Sequence, residues 1–125
     1  MMRRVVAAVD DLIFAARIRG TAEQLGVRID FVKSVEAAIE SAGAERRVDL
    51  VIADLHPQRI DSFALAERLK ADESLCGVPL VGFFSHVHIE LMHRARASGY
   101  DHVLPRSAFT KRLVDILRGD LDGSE

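Results

Sequence analysis

The sequence has no tryptophan, one tyrosine, three prolines and a single cysteine, Cys76. One thiol cannot close an intrachain disulfide, which excludes the disulfide-stapled class of small secreted domains and fits a reducing, cytoplasmic setting. Long apolar runs are missing as well, since none approaches the roughly 18 residues that cross a bilayer. The opening stretch MMRRVVAAVDDLIF places basic residues before an apolar run, as a signal peptide does. Asp10 and Asp11 interrupt that run after a few residues, which argues against export and against a membrane partner. An excess of one charge is also absent: 17 Lys and Arg face 19 Asp and Glu, for a net charge of -2. Nothing in that balance draws the chain toward nucleic acid or anionic lipid. The basic doublets Arg3-Arg4 and Arg46-Arg47 read as solvated surface.

What is present is an ordinary globular balance, 49% hydrophobic and 29% charged over 125 residues, with no repeat and no low-complexity linker. This length predicts one domain over 1–125, with a core from about 4 to 118 and a flexible tail from 119 to 125. Short apolar runs alternate with longer amphipathic ones. Val5–Val9, Val27–Val32, Val48–Ala53, Leu80–Phe84 and His102–Leu104 read as strands, the second at or near an edge because it is less uniformly apolar. Helices are expected over 12–25, closed by Gly26, and over 35–42, with Ser34 as N-cap and Gly43 as stop. Three more are expected over about 62–70, 89–98 and 109–118. Five strand–helix units imply right-handed crossovers and a parallel sheet covered on both faces. The chain is too short for a closed barrel, so the expected fold is α/β: an open, doubly wound (βα)5 sheet, order 2-1-3-4-5.

In such sheets the carboxyl ends of the strands carry the ligand site, where the strand order reverses. Asp10 and Asp11 follow the first strand and Asp54 ends the third, so three carboxylates are expected at one crevice. Like charges about 4 Å apart repel by roughly 4 kcal/mol at an effective dielectric near 20, so the cluster must take up protons or a cation. Hard oxygen ligands without a thiolate or imidazole set favour Mg²⁺. Helix capping by Asp10 or Asp11 explains one acid, but not three at one sheet edge.

With these residues in place, the sequence resembles the receiver domains of two-component response regulators, over roughly Arg4 to Leu117. The resemblance implies a flavodoxin-like fold and a role for each residue. Asp10 and Asp11 match the acidic pair after the first strand, and Asp54 matches the aspartate phosphorylated by a histidine kinase or phosphotransfer protein. Asp61 matches the acid that closes the following loop, and His56 would offer its backbone carbonyl to Mg²⁺. Four departures stand beside these matches. Arg106 replaces the lysine that grips the phosphoryl group, and its planar fork is not a neutral exchange. Ser107 replaces a proline, which predicts a helix N-cap there. The phosphate-binding hydroxyl falls on Phe84 by direct counting or on Ser85 after a one-residue slip, and the strand-five aromatic becomes Val103. Pro57 sits one place early, and Ser62 replaces a glycine.

His56, His86 and His88 fall in loops at the same edge, where they could meet a transition metal but read as exposed loop residues. The leading expectation is a stand-alone receiver that is not an enzyme beyond its own phosphorylation chemistry. It would be phosphorylated on Asp54 and would signal by contact with an unknown downstream protein, with homodimer pairing through its fourth and fifth helices. The alternative is a phosphorylation-independent pseudo-receiver that serves as an interaction module. A small Mg²⁺-dependent phosphatase is disfavoured, because His56 stands where a second acid would be needed and a cap has no room.

Overall fold

The computed structural model describes residues 3–43, 47–56, 60–85 and 89–121. Five parallel strands form one sheet in the order β2-β1-β3-β4-β5: β1 (Arg4–Ala8), β2 (Arg28–Phe31), β3 (Leu50–Asp54), β4 (Leu80–Phe84) and β5 (His102–Pro105). Between them run α1 (Leu12–Leu25), α2 (Val35–Ala42), α3 (Ser62–Ala71) and α4 (Ile89–Ser98). Two short helices, α5 (Arg106–Lys111) and α6 (Leu113–Arg118), end the fold. Among the described residues no helix is long and apolar enough to cross a membrane.

The three central strands are buried throughout because helices cover both faces, and strand alternation divides their side chains between two cores. Val5, Ala7, Leu50, Ile52, Val81 and Phe83 face one way, against Phe14, Ile18, Phe109, Ile116 and Leu117 of α1, α5 and α6. Val6, Ala8, Val51, Ala53, Leu80 and Phe84 face the other, against α2, α3 and α4. The β2 strand lies at the sheet edge, where its side chains are only partly covered, as its mixed sequence predicts.

Helix starts follow the local chemistry. Asp11, Ser34 and Asp61 each sit in extended backbone and accept hydrogen bonds from the first exposed N–H groups of α1, α2 and α3. Gly26 ends α1 with φ 70°, a left-handed conformation natural for glycine.

The last helical segment departs from expectation. It starts three residues before the expected Phe109, at Arg106 directly after Pro105, and breaks at Arg112 (φ -100°, ψ 10°). Ser107 is therefore inside the first turn and caps nothing; Pro105 holds the N-cap position without a side-chain hydrogen bond. The proline ring already sets a φ of -64°, so the chain turns into the helix without a hydroxyl cap.

The Arg3-Arg4 doublet is not the solvated pair its sequence suggests. Arg4 opens a central strand and is only 7% exposed. Its guanidinium meets Asp30 Oδ2 at 3.2 Å and donates to the Ser41 carbonyl at 2.7 Å and the Ser41 hydroxyl at 2.9 Å. Arg3 is half-buried and donates from Nε to the Leu117 carbonyl. Of the second doublet, Arg47 is exposed and Arg46 lies outside the described residues.

Gly82 on β4 makes room for the chain just beyond the end of β3. A Cβ there would stand 2.9 Å from the Leu55 side chain, one residue past Asp54. Gly82→Val is expected to lower unfolding free energy by about 1–3 kcal/mol through overpacking. Urea melts of the single and double mutants should show a smaller loss when Leu55 is also replaced by alanine; an equal loss in both backgrounds rules out this contact as the cause.

Candidate functional site

Asp54 is the last residue of β3 and lies opposite Phe83 in the register with β4. Alternation from Leu50 and Ile52 aims it at the α1/α5 side of the sheet. It is 4% exposed, and its Oδ1 accepts the backbone N–H of His56 at 2.9 Å. Because β1 and β3 are neighbours, the turn after β1 reaches the same edge. There Asp11 caps α1: its Oδ1 accepts from the N–H groups of Ile13 and Phe14, each at 3.0 Å.

The Oδ2 atoms of these two acids face one guanidinium. Arg106 places Nη1 3.6 Å from Asp11 Oδ2 and Nη2 3.5 Å from Asp54 Oδ2. Its guanidinium carbon lies 4.4 Å from the centre of the Phe14 ring and 5.7 Å from that of Phe83. Cations are attracted to aromatic faces at such distances. Phe14 and Phe83 also contact Phe109, with ring centres 4.6–5.9 Å apart in the trio, so the floor of the pocket is continuous with the core. Among the described residues Arg106 Nε is buried without a hydrogen-bond partner.

The two carboxylates differ electrostatically. Burial pushes the Asp54 carboxyl above its usual range, and the His56 N–H and the Arg106 charge only partly offset this. The Asp11 carboxyl is held below the usual range, first by the Phe14 N–H, with Arg106 and the Ile13 N–H adding to it against the penalty of burial.

The structure brings Asp11, Asp54 and Arg106 together. Asp10 is partly exposed and does not complete a three-acid cluster: among the described residues no three Asp, Glu, His or Cys groups are grouped to hold a metal. Asp11 also caps α1, so its Oδ1 is committed to the helix start while its Oδ2 faces Arg106. Ser85 follows β4 directly and is half-buried, whereas Phe84 is buried in the opposite core with Val103. His56 is exposed, Asp61 caps α3, and the Ser62 carbonyl accepts the buried Tyr100 hydroxyl at 2.8 Å. Pro57, His86 and His88 lie outside the described residues. Sequence reasoning missed Phe14 and Phe83. The available signal was the placement of Phe14 three residues after a capping acid, on the turn that faces Asp54.

The donor chemistry of Asp11 and Asp54 fits Mg²⁺, since both offer only hard oxygens. The guanidinium already facing both acids shows that the position attracts positive charge.

Asp54 binds protons more tightly in the folded chain than in the unfolded one, so its ionisation opposes folding. Stability from this group is greatest at low pH and falls as pH rises from 3.8 through the raised folded value. Asp54→Asn should therefore raise the melting temperature at neutral pH, by roughly 3–5 °C if the gain is about 1 kcal/mol. The advantage should shrink toward acid pH; thermal melts at several pH values that show a destabilised Asn variant at pH 7 contradict this assignment.

No family model and no curated protein sequence matches the chain. Solved structures do. A putative response regulator from Chloroflexus aurantiacus superposes with a TM-score of 0.83 at 17% identity, covering 98% of this chain and 100% of that one. The receiver domain of the sensor histidine kinase PA1611 from Pseudomonas aeruginosa, described with a magnesium ion in its active-site cleft, superposes at 0.81 with 18% identity, covering 98% and 100%. The chemotaxis response regulator CheY4 of Vibrio cholerae gives 0.80 at 17% identity, covering 97% and 100%. The chain has the CheY-like fold of response regulator receiver domains, along nearly its whole length.

Proposed function

We propose that this chain is a receiver module that accepts a phosphoryl group on Asp54 from a histidine kinase or phosphotransfer protein in the cytoplasm and relays the change by protein contact. The observation that carries this reading is the buried Asp54 carboxylate at the tip of β3, facing a guanidinium on the edge where such folds bind ligands. Asp11, Asp54 and the His56 carbonyl would hold Mg²⁺, with Asp10 beside them, and the ion would supply charge neutralisation as phosphate arrives.

The chain's own residues do the rest. A carboxylate oxygen of Asp54 attacks phosphorus, forming the O–P bond of an acyl phosphate as the bond to the donor breaks. Arg106 balances charge on the phosphoryl oxygens, and its fork suits two of them. Ser85 stands one residue past β4, within the loop that would supply a hydroxyl. Phe14 and Phe83 keep the floor dry, which strengthens each charge interaction above it. The protein does no chemistry on other molecules in this reading. The output surface would be α4 with α5 and α6, which would also serve a homodimer.

A specific observation favours a second reading, a pseudo-receiver that binds partners without phosphorylation. Arg106 is already engaged by both Asp11 and Asp54, and the buried Phe84 occupies the final position of β4. Acetyl phosphate with Mg²⁺ separates the two. A phosphate-affinity gel should show a retarded band for the wild type and none for Asp54→Asn. A band of equal strength in the Asn variant defeats Asp54 as acceptor, and no band in either supports the pseudo-receiver.

A further inference from the structure

We propose that Arg106 is a built-in latch: its guanidinium is the resident cation between Asp11 and Asp54, and a divalent ion enters the pocket only by displacing it. The inference rests on reading this pocket as a divalent-cation site. It concerns the regulation of that site, and does not depend on whether Asp54 is ever phosphorylated.

Three observations carry it. First, the two terminal nitrogens of one guanidinium are divided between the two acids, at 3.6 and 3.5 Å, so one side chain serves both carboxylates that a metal would need. A lysine ammonium would have to reach both acids from a single nitrogen, whereas the planar fork offers each its own. Second, the guanidinium is held in place independently of the acids, over the Phe14 ring at 4.4 Å and near Phe83 at 5.7 Å. The aromatic trio below it packs these rings into the core, so the arginine has a fixed seat.

Third, the hold is incomplete. Both nitrogen–oxygen separations exceed the roughly 2.7–2.9 Å of a strong charge-assisted hydrogen bond. Among the described residues Arg106 Nε is buried with no acceptor. Such a contact neutralises the pocket at rest yet leaves the arginine able to leave. A dication carries twice the charge and bonds oxygen at about 2.0–2.1 Å in the case of Mg²⁺, so it can displace the guanidinium at a penalty in affinity. Metal and arginine then exclude one another, and the free guanidinium becomes available to an incoming anion only after the metal has bound.

Mg²⁺ titration of the full chain tests this by calorimetry together with the NMR signal of the Arg106 Nε–H. Arg106→Met removes the charge and keeps a long apolar stem on Phe14. It should bind Mg²⁺ at least about fivefold more tightly than the wild type, the lower end of coupling between linked binding events. Arg106→Lys should fall between the two, and serves if the Met variant does not fold. In the wild type the Nε–H resonance should shift with the same midpoint as the heat of binding. Equal Mg²⁺ affinity across the three proteins overturns the latch while leaving the metal site intact, as does metal uptake with an unmoved Nε–H signal. No Mg²⁺ uptake by any of them overturns both the latch and the metal site.

Discussion

One guanidinium facing two carboxylates sets the electrostatics of this protein's candidate site. Asp11 and Asp54 both sit at the carboxyl edge of the sheet, with Asp54 almost fully buried. Two like charges opening onto one partly desolvated crevice repel one another more strongly than they would in water. A cation relieves that repulsion, and this chain supplies one from its own β5–α5 junction. The strand order makes the arrangement possible: β1 and β3 are hydrogen-bonded neighbours, so residues separated by more than forty positions open onto one crevice.

The pocket is also tied to the core. Phe14, Phe83 and Phe109 come from α1, β4 and α5, and their rings pack against one another beneath Arg106. A change in where the guanidinium rests is therefore felt by three elements at once. Asp11 adds a second tie, because the oxygen that does not face Arg106 caps α1. The opposite face is built differently: Phe84 and Val103 are buried among α2–α4 residues and do not line the pocket.

Much of this was legible in the residues. Apolar runs of strand length, glycines after helices and capping Ser34 located most elements to within a residue or two, because each signal acts over a few neighbouring positions. Asp54 stood out because an acid at the tip of an apolar strand needs a reason. Arg106 was visible as an unusual cation in a resembling pattern, though its double engagement was not. Arg4 was misread: a basic doublet near a chain start looks solvated, yet Asp30 and Ser41 come from distant segments to meet its charge. Ser107 was misread for a related reason, since the preceding Pro105 already sets the backbone for the helix.

The sequence alone determined the alternation of strands and helices, the two-sided burial of the sheet and the presence of acids at its carboxyl edge. These depend on local periodicity and on the short reach of caps and turns. Only the tertiary structure decided that Asp11 shares a cation with Asp54, that Arg106 is this cation, and that two phenylalanines form its floor. Each is a contact between segments far apart along the chain, and side-chain direction there is set by packing, which no local pattern encodes.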